Sequence, residues 1–194
     1  MPHVFDPAHA SRLHSVERQK IMPVSRLLDN LAPLDGQTWI DLGAGTGYYT
    51  RPLARVVATV HAVDAQAGML EQLKGQLVAG ERPHIVLHQV RAEDHDAPAA
   101  SADGVLIGNC FHELDDRAAV LQRCHTWLRP GGRLVVVDWL HADDASGPLP
   151  EQGPPAEHRL PLATVRADLE RAGFSPEVHL DWFVANYVIV ARAR

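Results

Sequence analysis

Apolar residues recur along this chain in two alternating rhythms. Short, dense apolar runs read as strands: Thr38–Leu42, Thr59–Asp64, His84–Val90, Gly104–Asn109 and Arg133–Leu140. Between them, apolar residues fall three and four apart, the spacing of one helical face. One such helix follows Gly47 and carries Leu53, Val56 and Val57, with Pro52 in its first turn, where a missing N–H costs little. A second runs from about Ala67 to Val78, with Met69, Leu70, Leu73 and Leu77 on one side and Gly80 as its stop. A third, capped by Asp115 or Asp116, turns Val120, Leu121, Cys124 and Leu128 inward and ends at Arg129-Pro130-Gly131-Gly132.

The flanks follow the same grammar. Asp6-Pro7 is a helix start, and a charged helix is expected over residues 7–21. Another begins at Pro23, with Val24, Leu27, Leu28 and Leu31 on one face, and Pro33 and Asp35-Gly36 end it. Residues 1–35 thus form a helical segment, either a cap on the core or a lid over a ligand, ahead of a domain over 36–194. Residues 141–160 are rich in proline, glycine and acid and read as a long loop, a kind that tends to be functional or disordered. A helix over about Pro161–Ala172 follows, then two β-rich runs, Glu177–Phe183 and Tyr187–Ala193, with Ala185-Asn186 as a tight turn between them.

Five strands alternating with helices imply an α/β, doubly wound parallel sheet. Ligands in such sheets bind beyond the carboxyl ends of the strands. That edge contains Asp41–Gly47, Asp64 and the residues after Val90, Asn109 and Asp138.

Composition narrows the classes. The 194 residues, 46% hydrophobic and 22% charged, suit one globular domain with a small extension. A net charge of -6 opposes bulk attraction to nucleic acid or an anionic membrane. Apolar runs such as Leu134–Val137 are too short to span a bilayer, and no signal peptide is visible at Met1–Asp6. Cys110 and Cys124 form no redox or metal pair, so a reducing cytoplasm is the expected location. The 12 histidines show no ligand spacing, and no metal is expected.

The stretch Trp39–Thr50 carries the chemistry. A strand passes through Gly43, Gly45 and Gly47 into a helix, which lets backbone approach a ligand closely. Asp64, after the second strand, can accept both hydroxyls of a ribose. The dinucleotide fingerprint Gly-x-Gly-x-x-Gly is not matched, and Asp41 would repel a pyrophosphate. An acid near this loop favours instead the ammonium and sulfonium of S-adenosylmethionine. Two further readings stay open: an NAD(P)-dependent oxidoreductase, and a protein that binds S-adenosylmethionine without catalysis.

At this point the chain resembles the class I S-adenosylmethionine-dependent methyltransferases, over nearly its whole length. Asp41–Gly47 is similar to the family's first motif, Val63-Asp64 to its second, and Leu128–Leu134 to the turn into the fifth strand. Glu170-Arg171-Ala172-Gly173-Phe174 is similar to the approach to its closing hairpin. The resemblance implies a mostly parallel seven-stranded sheet with an antiparallel C-terminal hairpin, and S-adenosylhomocysteine as product. It implies that Asp41, Gly43, Ala44, Gly45 and Gly47 hold the methionine part and Asp64 the ribose. Ala65 and Met69 would lie beside the adenine, Ala92 and Glu93 would meet its amino group, and Asn109 and Cys110 would contact the cofactor from strand four. Arg91 departs from the family's commonest third motif, which has an acid there.

Methyl transfer needs alignment of the acceptor and exclusion of water, with a base only where the acceptor must lose a proton. His112 and Glu113 are the catalytic candidates, His112 because a neutral imidazole accepts a proton near pH 7. The alternative for His112 is that it only packs against its loop. Asp138, His141 and His158 are candidate substrate contacts; Asp138 could instead orient a loop. The acceptor is expected to be a small molecule, and neither it nor the oligomeric state is readable.

Overall fold

The computed structural model describes residues 14–147 and 152–194. Its elements are α1 (Val16–Ile21), α2 (Val24–Leu31), β1 (Thr38–Leu42), α3 (Thr50–Leu53), β2 (Thr59–Asp64), α4 (Ala67–Gln76) and β3 (Ile85–Gln89). There follow β4 (Ala102–Gly108), α5 (Arg117–Trp127), β5 (Leu128–Trp139), α6 (Leu162–Arg171), β6 (Phe174–His179) and β7 (Asn186–Ala193). The seven strands form one sheet in the order β3-β2-β1-β4-β5-β7-β6. The first five are parallel, and β7 lies antiparallel between β5 and β6. This is the doubly wound sheet with a closing antiparallel hairpin that the sequence implied.

Strand alternation builds a core on each face. Trp39, Val60, Ala62, Leu106, Val135, Val137 and Val188 bury against α2, α3 and α4. Ile40, Val63, Val105, Ile107, Leu134, Val136 and Ile189 bury against α5 and α6. Hydroxyl and carboxylate caps start two of the helices: Ser15 Oγ accepts from Arg18 N at 3.1 Å, and Asp116 Oδ1 from Ala119 N at 2.9 Å. The first part of the helix expected over 7–21 lies outside the described residues, as do residues 148–151 of the long loop.

Three local features differ from the sequence expectation. The helix after Gly47 is only Thr50–Leu53, because the chain is then pinned to the start of β1: Ala58 N and Thr59 N both donate to Gln37 O, at 2.9 and 3.2 Å. Val57 still reaches the core, but Val56 is exposed. Second, the Arg129–Gly132 turn lies inside β5. Ala102 pairs with Leu128 and Gly104 with Arg133, so Asp103 alone stands opposite residues 129–132, a bulge made possible by Gly131 at φ +81°.

Third, Ala185-Asn186 is not a tight turn. Asn186 already pairs with Trp139 in the β5–β7 ladder, and Ala185 O accepts from Leu140 N at 3.0 Å. The connection therefore spans residues 180–185, with Phe183 buried beneath it. It lies at the carboxyl edge of the parallel strands and is tied to α1 through Val184 N donating to Ile21 O at 3.0 Å.

Candidate active site

The glycine loop is fixed by its own backbone. As β1 ends, Gly43 N and Ala44 N both donate to Val63 O, at 2.8 and 3.0 Å, which folds the chain across the end of β2. Gly43 takes φ +71°, and a β-carbon there would sit 2.3 Å from Cys110 Sγ. Gly47 takes φ +86°, and its β-carbon would strike Leu73 Cδ1 at 2.3 Å. No residue with a side chain meets both demands at either position.

Two aspartates flank this loop. Asp64 Oδ2 accepts from Gly45 N and Oδ1 from Gln66 N, both at 2.8 Å, so one carboxylate ties the loop to the start of α4. Burial pushes its pKa up, against those two backbone donors. Asp41 is buried, and Thr50 donates its hydroxyl to Oδ2 at 2.5 Å. Burial lifts Asp41 to about 7; the Thr50 hydroxyl opposes the rise and the Asp64 charge adds to it. A desolvated acid of this kind favours a cationic neighbour, which would restore its charge.

The remaining predicted cofactor residues lie around the same strand ends. Ala65 is exposed just before α4, Met69 is buried beneath that helix, and Ala92 is half-buried against the core. Glu93 accepts from Asp115 N at 3.0 Å and lies 3.4 Å from Arg91 Nε; Arg91 also pairs with Asp115. The departing Arg91 is therefore part of a surface ion-pair group that also engages Glu93. Cys110 donates its thiol to Leu42 O at 3.2 Å, and burial together with the nearby acids raises its pKa well above the ordinary thiol range. Asn109, at φ +59°, ends β4; its Oδ1 accepts from Tyr49 OH at 2.8 Å and from Arg18 Nη2 at 3.0 Å.

A second cluster sits beyond β4 and β5. Asp138 Oδ2 accepts from His112 N at 3.0 Å, and His112 Nδ1 lies 2.9 Å from Asp138 Oδ1. Trp139 N also donates to Asp138 Oδ1, at 2.8 Å. Burial lowers the His112 pKa, but the hydrogen bond and charge of Asp138, with Glu113 behind them, outweigh it and the net shift is upward. His112 Nε2 lies 3.8 Å from Glu113 Oε1. His141 is drawn away to its own loop, accepting from Asp143 N at 3.2 Å. His158 is half-buried at the end of the turn Ala156–His158.

Several residues at this edge carried no sequence signal. His14 Nε2 lies 2.8 Å from Thr46 Oγ1, inside the glycine motif. The Arg18 guanidinium stacks 4.7 Å over the Tyr48 ring, and Tyr48 OH donates to Met22 O at 2.7 Å. Arg159 is buried in the long loop and donates to Pro154 O, Leu140 O and Gln152 O, clamping that loop beside Trp139. A lone arginine in a proline-rich stretch reads as a solvated charge, and a charged first helix as a solvated face. A test for tight clusters of aromatics beside the glycine motif would have raised Tyr48 and Tyr49, but not their partners.

These residues fit S-adenosylmethionine. At Gly43 and Gly47 the backbone takes left-handed conformations packed closely against Cys110 and Leu73, and two desolvated acids, Asp41 and Asp64, flank the loop, an acceptor set suited to a ligand with cationic groups and ribose hydroxyls. Asn109 Nδ2 and Arg18 Nε are buried donors with no partner among the described residues.

Known proteins share this sheet and parts of this sequence. A family model described as a methyltransferase domain matches residues 40–136. An uncharacterized methyltransferase of Mycobacterium tuberculosis is 33% identical over 143 residues, covering 74% of this chain and 56% of that protein. The ubiquinone biosynthesis O-methyltransferase of Paracidovorax citrulli is 32% identical over 107 residues, 54% of this chain and 44% of that protein. The chain thus spans about half the length of the curated relatives it matches. A crystal structure of an S-adenosylmethionine-dependent methyltransferase from Aquifex aeolicus superposes with a TM-score of 0.86 at 22% identity, over 97% of this chain and 98% of that one. A matching domain model over half the sequence, a seven-stranded sheet of this order and a glycine cradle between two acids together place the chain in the class I S-adenosylmethionine-dependent methyltransferase family.

Proposed function

We propose that this protein transfers the methyl group of S-adenosylmethionine to a small-molecule acceptor that gives up a proton as it is methylated. The observation that carries this reading is the His112–Asp138 pair beside Asn109 and Cys110, at the carboxyl edge next to the cofactor cradle. The cofactor, when bound, supplies a methyl carbon activated by its sulfonium. The chain supplies position and a base. Asp64 takes the ribose hydroxyls and Asp41 the ammonium. Asp138 fixes the Nδ1–H tautomer of His112, which leaves Nε2 as the proton acceptor. Glu113, near Nε2, stabilises the imidazolium that results.

The name of the Paracidovorax relative describes methylation of an oxygen. An oxygen acceptor with an ionisable hydrogen suits a histidine base, and this likeness supports such an acceptor here. Two free cysteines suit the cytoplasm. The test is a screen of hydroxylated small molecules, read as S-adenosylhomocysteine release and a 14 Da mass gain, expected as the mass of one methylene. Turnover that rises with pH through the His112 titration is the expected result. A best acceptor whose turnover is indifferent to His112→Ala would overturn the base.

A further inference from the structure

The N-terminal segment brings an arginine to the cofactor cradle that no motif accounts for. Arg18 stands on α1, a helix with no buried residue of its own, yet its guanidinium reaches Asn109 and lies over Tyr48. Both contacts are neutral. Other arginines are committed: Arg51 and Arg55 to Glu81, Arg91 to Asp115 and Glu93, Arg159 to three carbonyls. Among the described residues no carboxylate pairs with Arg18.

Two donors are left over at the same place. Arg18 Nε and Asn109 Nδ2 are both buried and lack an acceptor among the described residues. Buried donors without acceptors are costly, and two side by side around one cation call for a group that only accepts. A carboxylate is such a group, and a guanidinium fork matches its geometry. The family's cofactor carries one, on the same amino-acid end as the ammonium assigned to Asp41. Asp41 and Arg18 then stand as an acid and a base for the two charges of one zwitterion. We propose that Arg18 binds the carboxylate of the cofactor's methionine end, with Asn109 Nδ2 beside it. Residues 14–22, held also by His14 on Thr46, then cover the methionine end of the cofactor. The inference rests on the S-adenosylmethionine reading of the site.

The test separates that carboxylate from the rest of the ligand. Calorimetry compares S-adenosylhomocysteine with 5′-methylthioadenosine, which lacks the amino-acid end, and with decarboxylated S-adenosylmethionine, which keeps the ammonium but has no carboxylate. Arg18→Ala is expected to weaken S-adenosylhomocysteine roughly 10- to 100-fold, the range of a hydrogen-bonded charge pair. It should leave the other two unchanged, and Arg18→Lys should recover part of the loss. Hydrogen exchange over residues 15–22 of the wild type should slow with S-adenosylhomocysteine and not with 5′-methylthioadenosine. Equal weakening of all three ligands by Arg18→Ala, or of none, would overturn the role of Arg18 while leaving the cofactor reading intact. Wild-type protein that binds none of the three would overturn the cofactor reading itself.

Discussion

Asp41 and Asp138 are both buried aspartates at the carboxyl ends of parallel strands, and they are held in opposite ways. Among the described residues Asp41 has one neutral donor, the Thr50 hydroxyl, and burial carries its pKa to about 7. Asp138 has three: the backbone N–H groups of His112 and Trp139 and the His112 ring. A carboxylate with one partner keeps lone pairs for a ligand, while one surrounded by protein donors acts through the group it orients. On the proposed reading, the β1–β2 half of the edge receives the charged cofactor and the β4–β5 half holds the base in place. The two halves meet at Asn109, which takes hydrogens from Tyr49 of the first half and from Arg18 of the N-terminal segment.

The sharpest way to break this contrast is to remove one half and watch the other. His112→Ala should lower kcat by roughly 100- to 10,000-fold, the usual worth of a positioned base, and leave S-adenosylhomocysteine affinity unchanged in calorimetry. Asp64→Ala should do the reverse. It removes the ribose acceptor and frees Gly45 N, so cofactor affinity should drop roughly 10- to 100-fold, read by the same titration. A kcat at saturating cofactor that fell as steeply would mean the halves are not separable.

Titration tests the two acids more gently. The His112 pKa lies above the ordinary imidazole value, and the proposed base would work when neutral, so kcat should rise with pH through that raised pKa. Asp138→Asn should move the limb to lower pH and reduce the plateau. The same pairing contributes stability that is fully present below the unfolded imidazole pKa and is lost as pH rises through the folded one. Asp41 runs the other way round. Its folded pKa is raised, so the ligand-free protein loses the advantage of the neutral carboxyl as pH climbs from the ordinary carboxylate range to about 7. A cationic ligand favours the ionised form, so cofactor affinity should increase by a few-fold as pH passes about 7, with proton release on binding below it. Asp41→Asn should flatten that dependence; a slope surviving the substitution would assign it elsewhere.

The strands were legible because their apolar runs are bounded by polar or glycine residues. β1 and β2 fall on Thr38–Leu42 and Thr59–Asp64, as their sequences indicate. Helix length was less legible, since Leu53 and Val57 reach the core whether the chain between them is helix or turn. The glycine loop could be read from local spacing, because Gly43, Gly47 and Asp64 satisfy backbone demands within one strand-turn-helix unit. The pairing of His112 with Asp138 spans 26 positions and was not readable, although both residues were candidates. Arg18 and Asn109 are 91 positions apart, and nothing near either predicts the other.

The place of β7 has a consequence for the order of assembly. Asn186–Ala193 is last among the strands in sequence but interior in the sheet, between β5 and β6. Its Tyr187 stands in register with Asp138. During synthesis the cofactor half, complete by β4, can form while the ribosome is still making the rest. The backbone of β5 that carries Asp138 stays an open edge until residues 186–193 emerge and pair with it. On the proposed assignment, a nascent chain would complete the donor loop before it secured the strand that carries the partner of its base, and the last strand would complete the site.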